Sequence, residues 1–261
     1  LNNNQTLNRI ATGIELNQAS DDYSSLAITN NLLSQSSGYS QAIENTNSAI
    51  ASTQIASSAT NEQSSILDSI KEKLLQASTD TTSQDGREAL LKDIQSQLDQ
   101  FNQIASSTNY NGQTLLQNSA SDTSASQVQQ YQSGINSENL IETSSVQSNT
   151  QGLGLTALSS QDATSFSSSD ARGFLQSVDN AINGLNDIRS EFGSVQNQLE
   201  SSSKNLISQE VGTLSAASIS DTDYAKESAS FSKQNIMGQI GAFSLAQGNN
   251  VNQQMVTRLL S

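Results

Sequence analysis

Residues 175–200, LQSVDNAINGLNDIRSEFGSVQNQLE, decide the fold. Leu175, Val178, Ile182, Leu185, Ile188, Phe192, Val195 and Leu199 recur at intervals of three and four, and Leu206 continues the phase one heptad after Leu199. Such spacing places every member on one face of an α-helix, and sustained over so many turns it is a coiled-coil seam. It predicts a helix from about Ser168 to Ala216, roughly 70 Å long at 1.5 Å per residue.

Working outward, a second helix is predicted over Gln84–Ser107, with Leu90 or Leu91, Ile94, Leu98, Phe101 and Ile104 as its stripe. Asp85 and Glu88 lie in its first turn, where they suit the helix dipole. A third is predicted from Asp21 to Ala77, carrying Leu26, Leu32, Tyr39, Ile43, Ile50, Leu67, Ile70 and Leu74. Its middle thins to Ala, Ser and Asn, which favours close helix approach. Ser20 and Asp21 are its N-cap candidates. A last amphipathic helix is expected from Tyr224 to Ser261, weakened by Gly238, Gly241 and Gly248. Between Asn118 and Ser167 the helical period fades into short strands and loops, and Asn109-Tyr110-Asn111-Gly112 reads as a turn. The expected class is mainly α: a long antiparallel coiled-coil bundle with a small mid-chain β-hairpin region and both chain ends together.

Composition excludes several chemistries. The 261 residues contain no Cys, His, Trp or Pro. Without Cys there is no disulfide framework and no thiol catalysis. Without His the commonest general base and metal ligand are gone. A net charge of −14 with no basic stripe argues against nucleic acid and anionic membranes. No apolar run reaches the roughly 18–20 residues of a membrane helix. The lack of Pro suits uninterrupted helices, whereas polar disordered chains are usually Pro-enriched. Leu, Ile, Val and Phe together form only about 22% of the residues, so apolar residues must sit in narrow stripes.

Five motifs carry a resemblance. The stretch Leu7 to Asp22, LNRIATGIELNQASDD, followed by Leu26-Ala27-Ile28, resembles the N-terminal signature of bacterial flagellins. Gly38, Gln41, Ala42, Asn45 and Ile50 fit the next segment. Thr108 to Leu116 resembles the motif closing the N-terminal helices, and Ala217 to Glu227 the one opening the C-terminal helix. Ala246-Gln247, Asn249, Gln254, Val256 and Leu259-Leu260 look like a flagellin C-terminus.

The resemblance implies a structural subunit, not an enzyme, that self-assembles into the extracellular flagellar filament after export through the flagellar secretion apparatus. It implies no cofactor and no metal. Its implied partners are copies of itself, junction and cap proteins, and an export chaperone at the C-terminal helix. The implied organisation is an inner-domain remnant and linker over 1–20, the N-terminal half of a tube domain over 21–117, and a β-hairpin and loop region without large outer domains over 118–167. The long C-terminal tube helix covers 168–217 and the inner-domain helix 218–261. The resemblance also implies an apolar helix before Leu1, of which this sequence carries little; truncation, a misplaced start and true absence are the expected alternatives. The expected polymerisation interface is Arg9, Asp21, Asp22, Phe231, Ile236, Ile240, Phe243, Val251, Met255, Leu259 and Leu260.

Many flagellins are sensed by a Toll-like receptor through a helical Arg. Here the matching stretch includes Asp68, Ser69, Ile70, Lys71 and Glu72, with Ser69 at the Arg position, so weak activation of the epsilon-proteobacterial kind is expected. Ser119, Ser121, Thr123, Ser124, Ser126, Ser165, Ser167 and Ser168 are candidate O-glycosylation sites, against the simpler reading of a solvated polar loop.

Other features have plain readings. Asp21-Asp22 and Asp221-Thr222-Asp223 read as caps and turns before metal pairs. Asp80–Gly86 reads as a linker, and Gln151–Gly154 as a turn. The two alternatives to a filament subunit are a hook–filament junction or cap-associated protein, and a secreted coiled-coil adhesin or scaffold.

Overall fold

The computed structural model describes residues 3–16, 22–117, 119, 121–218 and 221–259. The protein forms two compact units, residues 38–209 and residues 1–37 with 210–261. The division falls within two long helices, α2 (Tyr23–Ala77) and α5 (Ser168–Ala217).

In the larger unit, α2 and α5 are joined by α3 (Gln84–Ser107), the predicted span. Ser83 caps α3, its Oγ accepting from Gly86 N at 3.2 Å. At the start of α5, Ser167 and Asp170 form a reciprocal capping box. Asp170 N donates to Ser167 Oγ, and Ser167 N donates to Asp170 Oδ2 at 2.9 Å.

Three successive buried clusters order the helices. The first joins Leu67, Ile70 and Leu74 of α2 to Leu91, Ile94 and Leu98 of α3 and Val178 and Leu185 of α5. The second joins Ala56, Ala105 and Phe192, and the third Ala49, Val195 and Leu199. As α2 numbers fall, those on α3 and α5 rise, so α2 runs antiparallel to both. The α5 stripe serves this core: Val178, Leu185, Phe192, Val195, Leu199 and Leu206 are buried, and Ile182 and Ile188 pack against them.

On α2 the seam departs from the expected stripe. The buried positions are Ala42, Thr46, Ala49, Thr53, Ala56, Thr60 and Gln63, still alternating by three and four, then Leu67, Ile70 and Leu74. Ile43 and Ile50 flank this seam half-buried. Small residues hold the seam because Val195 and Leu199 fill the space from the α5 side. The threonine hydroxyls find acceptors in their own helix: Thr46 Oγ1 donates to Ala42 O at 2.7 Å and Thr53 Oγ1 to Ala49 O at 3.0 Å. On α3, Ala105 is buried where Ile104 was expected.

Two antiparallel hairpins lie on these helices. Strands β1 (Asn109–Tyr110) and β2 (Gln113–Thr114) pair Tyr110 with Gln113 around the two-residue turn Asn111-Gly112, both residues at positive φ. Strands β3 (Gln130–Gln132) and β4 (Leu140–Glu142) pair Tyr131 with Ile141. The rest of 118–167 includes a short helix α4 (Thr156–Ser159) and a 3₁₀ turn at Ala163–Ser165. Leu155, Leu158 and Phe166 plug the first cluster. Buried Gln63 ties this region to the bundle, its Nε2 donating to Phe101 O and Ser148 O.

In the smaller unit, α1 (Asn3–Thr12) packs against α6 (Tyr224–Leu259). Gly13 O accepts from Thr222 N at 3.0 Å, and Ile14 bridges to Asp221. Helix α2 starts at Tyr23 and is capped by Asp22, whose Oδ1 accepts from Ser24 N and Ser25 N. The expected caps Ser20 and Asp21 lie outside the described residues. Asp223 caps α6 in the same way, accepting from Ala225 N and Lys226 N.

Candidate assembly surface

Beyond its contact with α1, much of helix α6 is uncovered. Phe231 is half-buried, but every residue from Ile236 to Gln247 is exposed. Ile236, Ile240 and Phe243, spaced four and three, are 57%, 59% and 71% exposed, and Met237 and Leu245 add to them. A lone helix open on all sides draws little stability from its sequence, because helices are held mainly by burial of an apolar face.

The same unit exposes Val211 and Leu214 near the end of α5, and Tyr23 and Ile28 at the start of α2. Neither pair stands out in the sequence, nor do Met237 and Leu245. The signal for Val211 and Leu214 is their spacing of three, one step outside the buried seam. Among the other expected interface residues, Arg9 is half-buried on α1 and its carbonyl accepts from Gly13 N. Asp22 is exposed and engaged in capping. The Ser25 hydroxyl, more than any other group, holds its carboxyl below the usual range. The side chains of Val251, Met255 and Leu259 lie outside the described residues, as do Asp21 and Leu260.

The five residues of the expected receptor epitope diverge. Ile70 is fully buried in the core and is no surface contact. Its position on the seam, three after Leu67 and four before Leu74, explains this. Ser69 Oγ accepts from Gln97 Nε2 at 3.0 Å, and Lys71 Nζ lies 2.6 Å from Asp179 Oδ1. Asp68 and Glu72 are exposed.

The candidate glycosylation sites also separate. Ser119, Ser121, Thr123, Ser124 and Ser165 are exposed. Ser126 is buried, its Oγ accepting from Val146 N, so no glycan fits there. Ser167 and Ser168 are half-buried, and their hydroxyls donate to Asp170 and Asp80 at 2.7 and 2.6 Å. Among the described residues no group of three or more acidic side chains is arranged to hold a metal, and no helix is long and apolar enough to cross a membrane.

A helical bundle in one unit and an exposed apolar helix face in the other suit a structural protein of the assembling kind. Comparison with known proteins fixes which. Residues 1–121 match the bacterial flagellin N-terminal helical region and residues 175–260 the C-terminal helical region. The sequence is 31% identical over 246 residues to a flagellin of Halalkalibacterium halodurans, covering 94% of this chain and 87% of that one. It is 43% identical to Flagellin B of Helicobacter pylori over 116 residues, 44% of this chain and 23% of that protein. In fold it is similar to Bacillus cereus flagellin, with a TM-score of 0.54 and 23% identity over 62% of this chain and 88% of that one. A flagellar hook-associated protein from Vibrio parahaemolyticus gives a TM-score of 0.63 at 12% identity, over 77% and 99%. These two structures speak to fold alone; the sequence matches decide the family.

The chain belongs to the bacterial flagellins. It is a non-enzymatic structural subunit of the extracellular flagellar filament, exported through the flagellar apparatus and assembling with copies of itself. The two family matches leave residues 122–174 uncovered, the part that carries β3, β4 and α4.

Proposed function

We propose that this flagellin joins the filament through the apolar face of α6, with Ile236, Ile240 and Phe243 at its centre. The observation that carries the reading is the exposure of all three on a helix uncovered from Ile236 to Gln247. Burying two such side chains against a neighbouring subunit contributes about 3–6 kcal/mol. The same face is the site offered to an export chaperone before assembly, and filament-end contacts are assigned to junction and cap proteins. Arg9, Asp22 and the more distal Val251, Met255, Leu259 and Leu260 belong to the same proposed interface.

The test is elongation from short filament seeds, followed by light scattering and electron microscopy. Wild-type protein is expected to elongate, and the double variant Ile240→Ser/Phe243→Ser to stay monomeric with unchanged helix content. Normal elongation of that variant would overturn the assignment.

Weak Toll-like receptor activation is proposed on a separate observation. Ser69 and Lys71 are held by Gln97 and Asp179, which leaves Asp68 and Glu72 as the free charges of that stretch. A reporter-cell assay giving full-strength activation would refute it.

A further inference from the structure

The turn of the first hairpin carries chemistry unrelated to assembly. Asn111 and Gly112 occupy its two central positions, at φ values of 49° and 79°. Both are exposed, and a Cβ built on Gly112 would meet nothing within 4 Å. Among the described residues neither the Asn111 side-chain amide nor the Gly112 N–H has a hydrogen-bond partner. An unencumbered backbone nitrogen therefore follows an unencumbered carboxamide, with no side chain on Gly112 to shield it.

We propose that Asn111 is a site of spontaneous deamidation. The Gly112 nitrogen attacks Asn111 Cγ and forms a new bond to it. The bond from Cγ to Nδ2 breaks, and the proton of the attacking nitrogen leaves with the departing ammonia. The product is a five-membered succinimide. Solvent water then opens the ring. Cleavage between Cγ and the ring nitrogen gives Asp. Cleavage between the backbone carbonyl carbon and that nitrogen gives isoaspartate, in which the backbone runs through Cβ and Cγ.

The second Asn-Gly pair of the sequence, Asn183-Gly184, supplies the control. It lies in the middle of α5, where the Gly184 amide is part of the helix ladder and a Cβ would meet Leu153 Cδ2 at 3.2 Å. That helix must open before its glycine nitrogen can react.

The consequence is local and directional. Two-residue turns of this type depend on a fixed backbone length and two positive φ values. Isoaspartate adds a methylene to the backbone and destroys that geometry. The strain falls on Tyr110 and Leu115, which pack in the cluster with Ala56 and Phe192.

The experiment ages the full-length protein in mildly alkaline buffer made with heavy-oxygen water, then maps peptides by mass spectrometry and labels isoaspartate with a protein isoaspartyl methyltransferase. The peptide containing Asn111 is expected to gain mass and heavy oxygen at least about ten-fold faster than that containing Asn183, and to become a methyl acceptor. Asn111→Gln is expected to abolish both signals with helix content unchanged. Equal rates at the two sites, or no gain at Asn111, would overturn the proposal.

Discussion

Gly38 on α2 sits so close to Ile135 at the tip of the second hairpin that a Cβ on the glycine would lie 2.8 Å from Ile135 Cγ2. Two opposing effects meet there. Ala is favoured over Gly inside a helix by about 1 kcal/mol, but in the native protein Ile135 must move to admit the methyl group. Gly38→Ala is therefore expected to gain little stability by itself, and to recover about 0.5–1 kcal/mol when introduced beside Ile135→Ala. Urea unfolding of the four proteins of this cycle measures the coupling. Equal effects of Gly38→Ala in both backgrounds would show that the contact carries no energy.

Gln63 is fully buried and donates from Nε2 to Phe101 O at 3.1 Å and Ser148 O at 2.8 Å. Replacing it by Leu keeps the volume and removes the donor. The loss is expected to be about 1–3 kcal/mol, softened because Gln63 Oε1 has no partner among the described residues. Hydrogen exchange should accelerate at residues 144–155 before it does along α3. Unchanged stability would mean that packing alone holds this loop.

How much of this was legible in sequence differs from element to element. The bounds of α3 and α5 followed from stripes of Leu, Ile and Phe, because there the seam residues are large and the period is plain. On α2 the period was present but written in Ala and Thr, and the larger Ile43 and Ile50 stand one position off the seam, at its half-buried edge. The Gln63 and Asn102 bonds to residues 148–150 were invisible, since they join partners 85 and 48 residues apart whose polar side chains carry no periodic signal. Ser126 looked like any serine of a polar loop until pairing with Val146 buried it. The exposure of Ile236, Ile240 and Phe243 was legible because a helix with little to bury it inside the monomer keeps its apolar face uncovered.

The small-residue seam itself makes a prediction. Ala49 is 1% exposed and faces Val195 and Leu199. Ala49→Leu must push α2 and α5 apart or force poor rotamers, at a cost of about 1–3 kcal/mol. The reverse design, Thr53→Val, removes a hydroxyl already satisfied within its own helix and is expected to change stability by less than about 1 kcal/mol. Thermal unfolding of the two variants distinguishes a close-packed seam from a loose one. A loose seam would accept the leucine without loss.

Acid should unfasten the bundle at its capped ends. Asp80, in the turn after α2, accepts from Ser168 Oγ at 2.6 Å and Arg172 Nη2 at 3.0 Å, and the serine hydroxyl, then the Arg172 charge, hold its carboxyl below the usual range. Asp170 is lowered by the Ser167 hydroxyl and then by the Ser167 N–H, and Asp162 by the Thr164 N–H and then its hydroxyl. Each carboxyl binds its proton less readily folded than unfolded. Their contribution is therefore complete above the ordinary carboxylate pKa of about 4 and is lost as pH falls through the lower folded values. Solvent exposure and salt keep each contribution small, so the effect is cumulative. The urea midpoint is expected to fall on acidification below about pH 4, and Asp80→Asn/Asp170→Asn to lower the neutral midpoint while flattening that decline. A midpoint that rises on acidification, or a decline of equal steepness in the double variant, would place the acid sensitivity elsewhere in the protein.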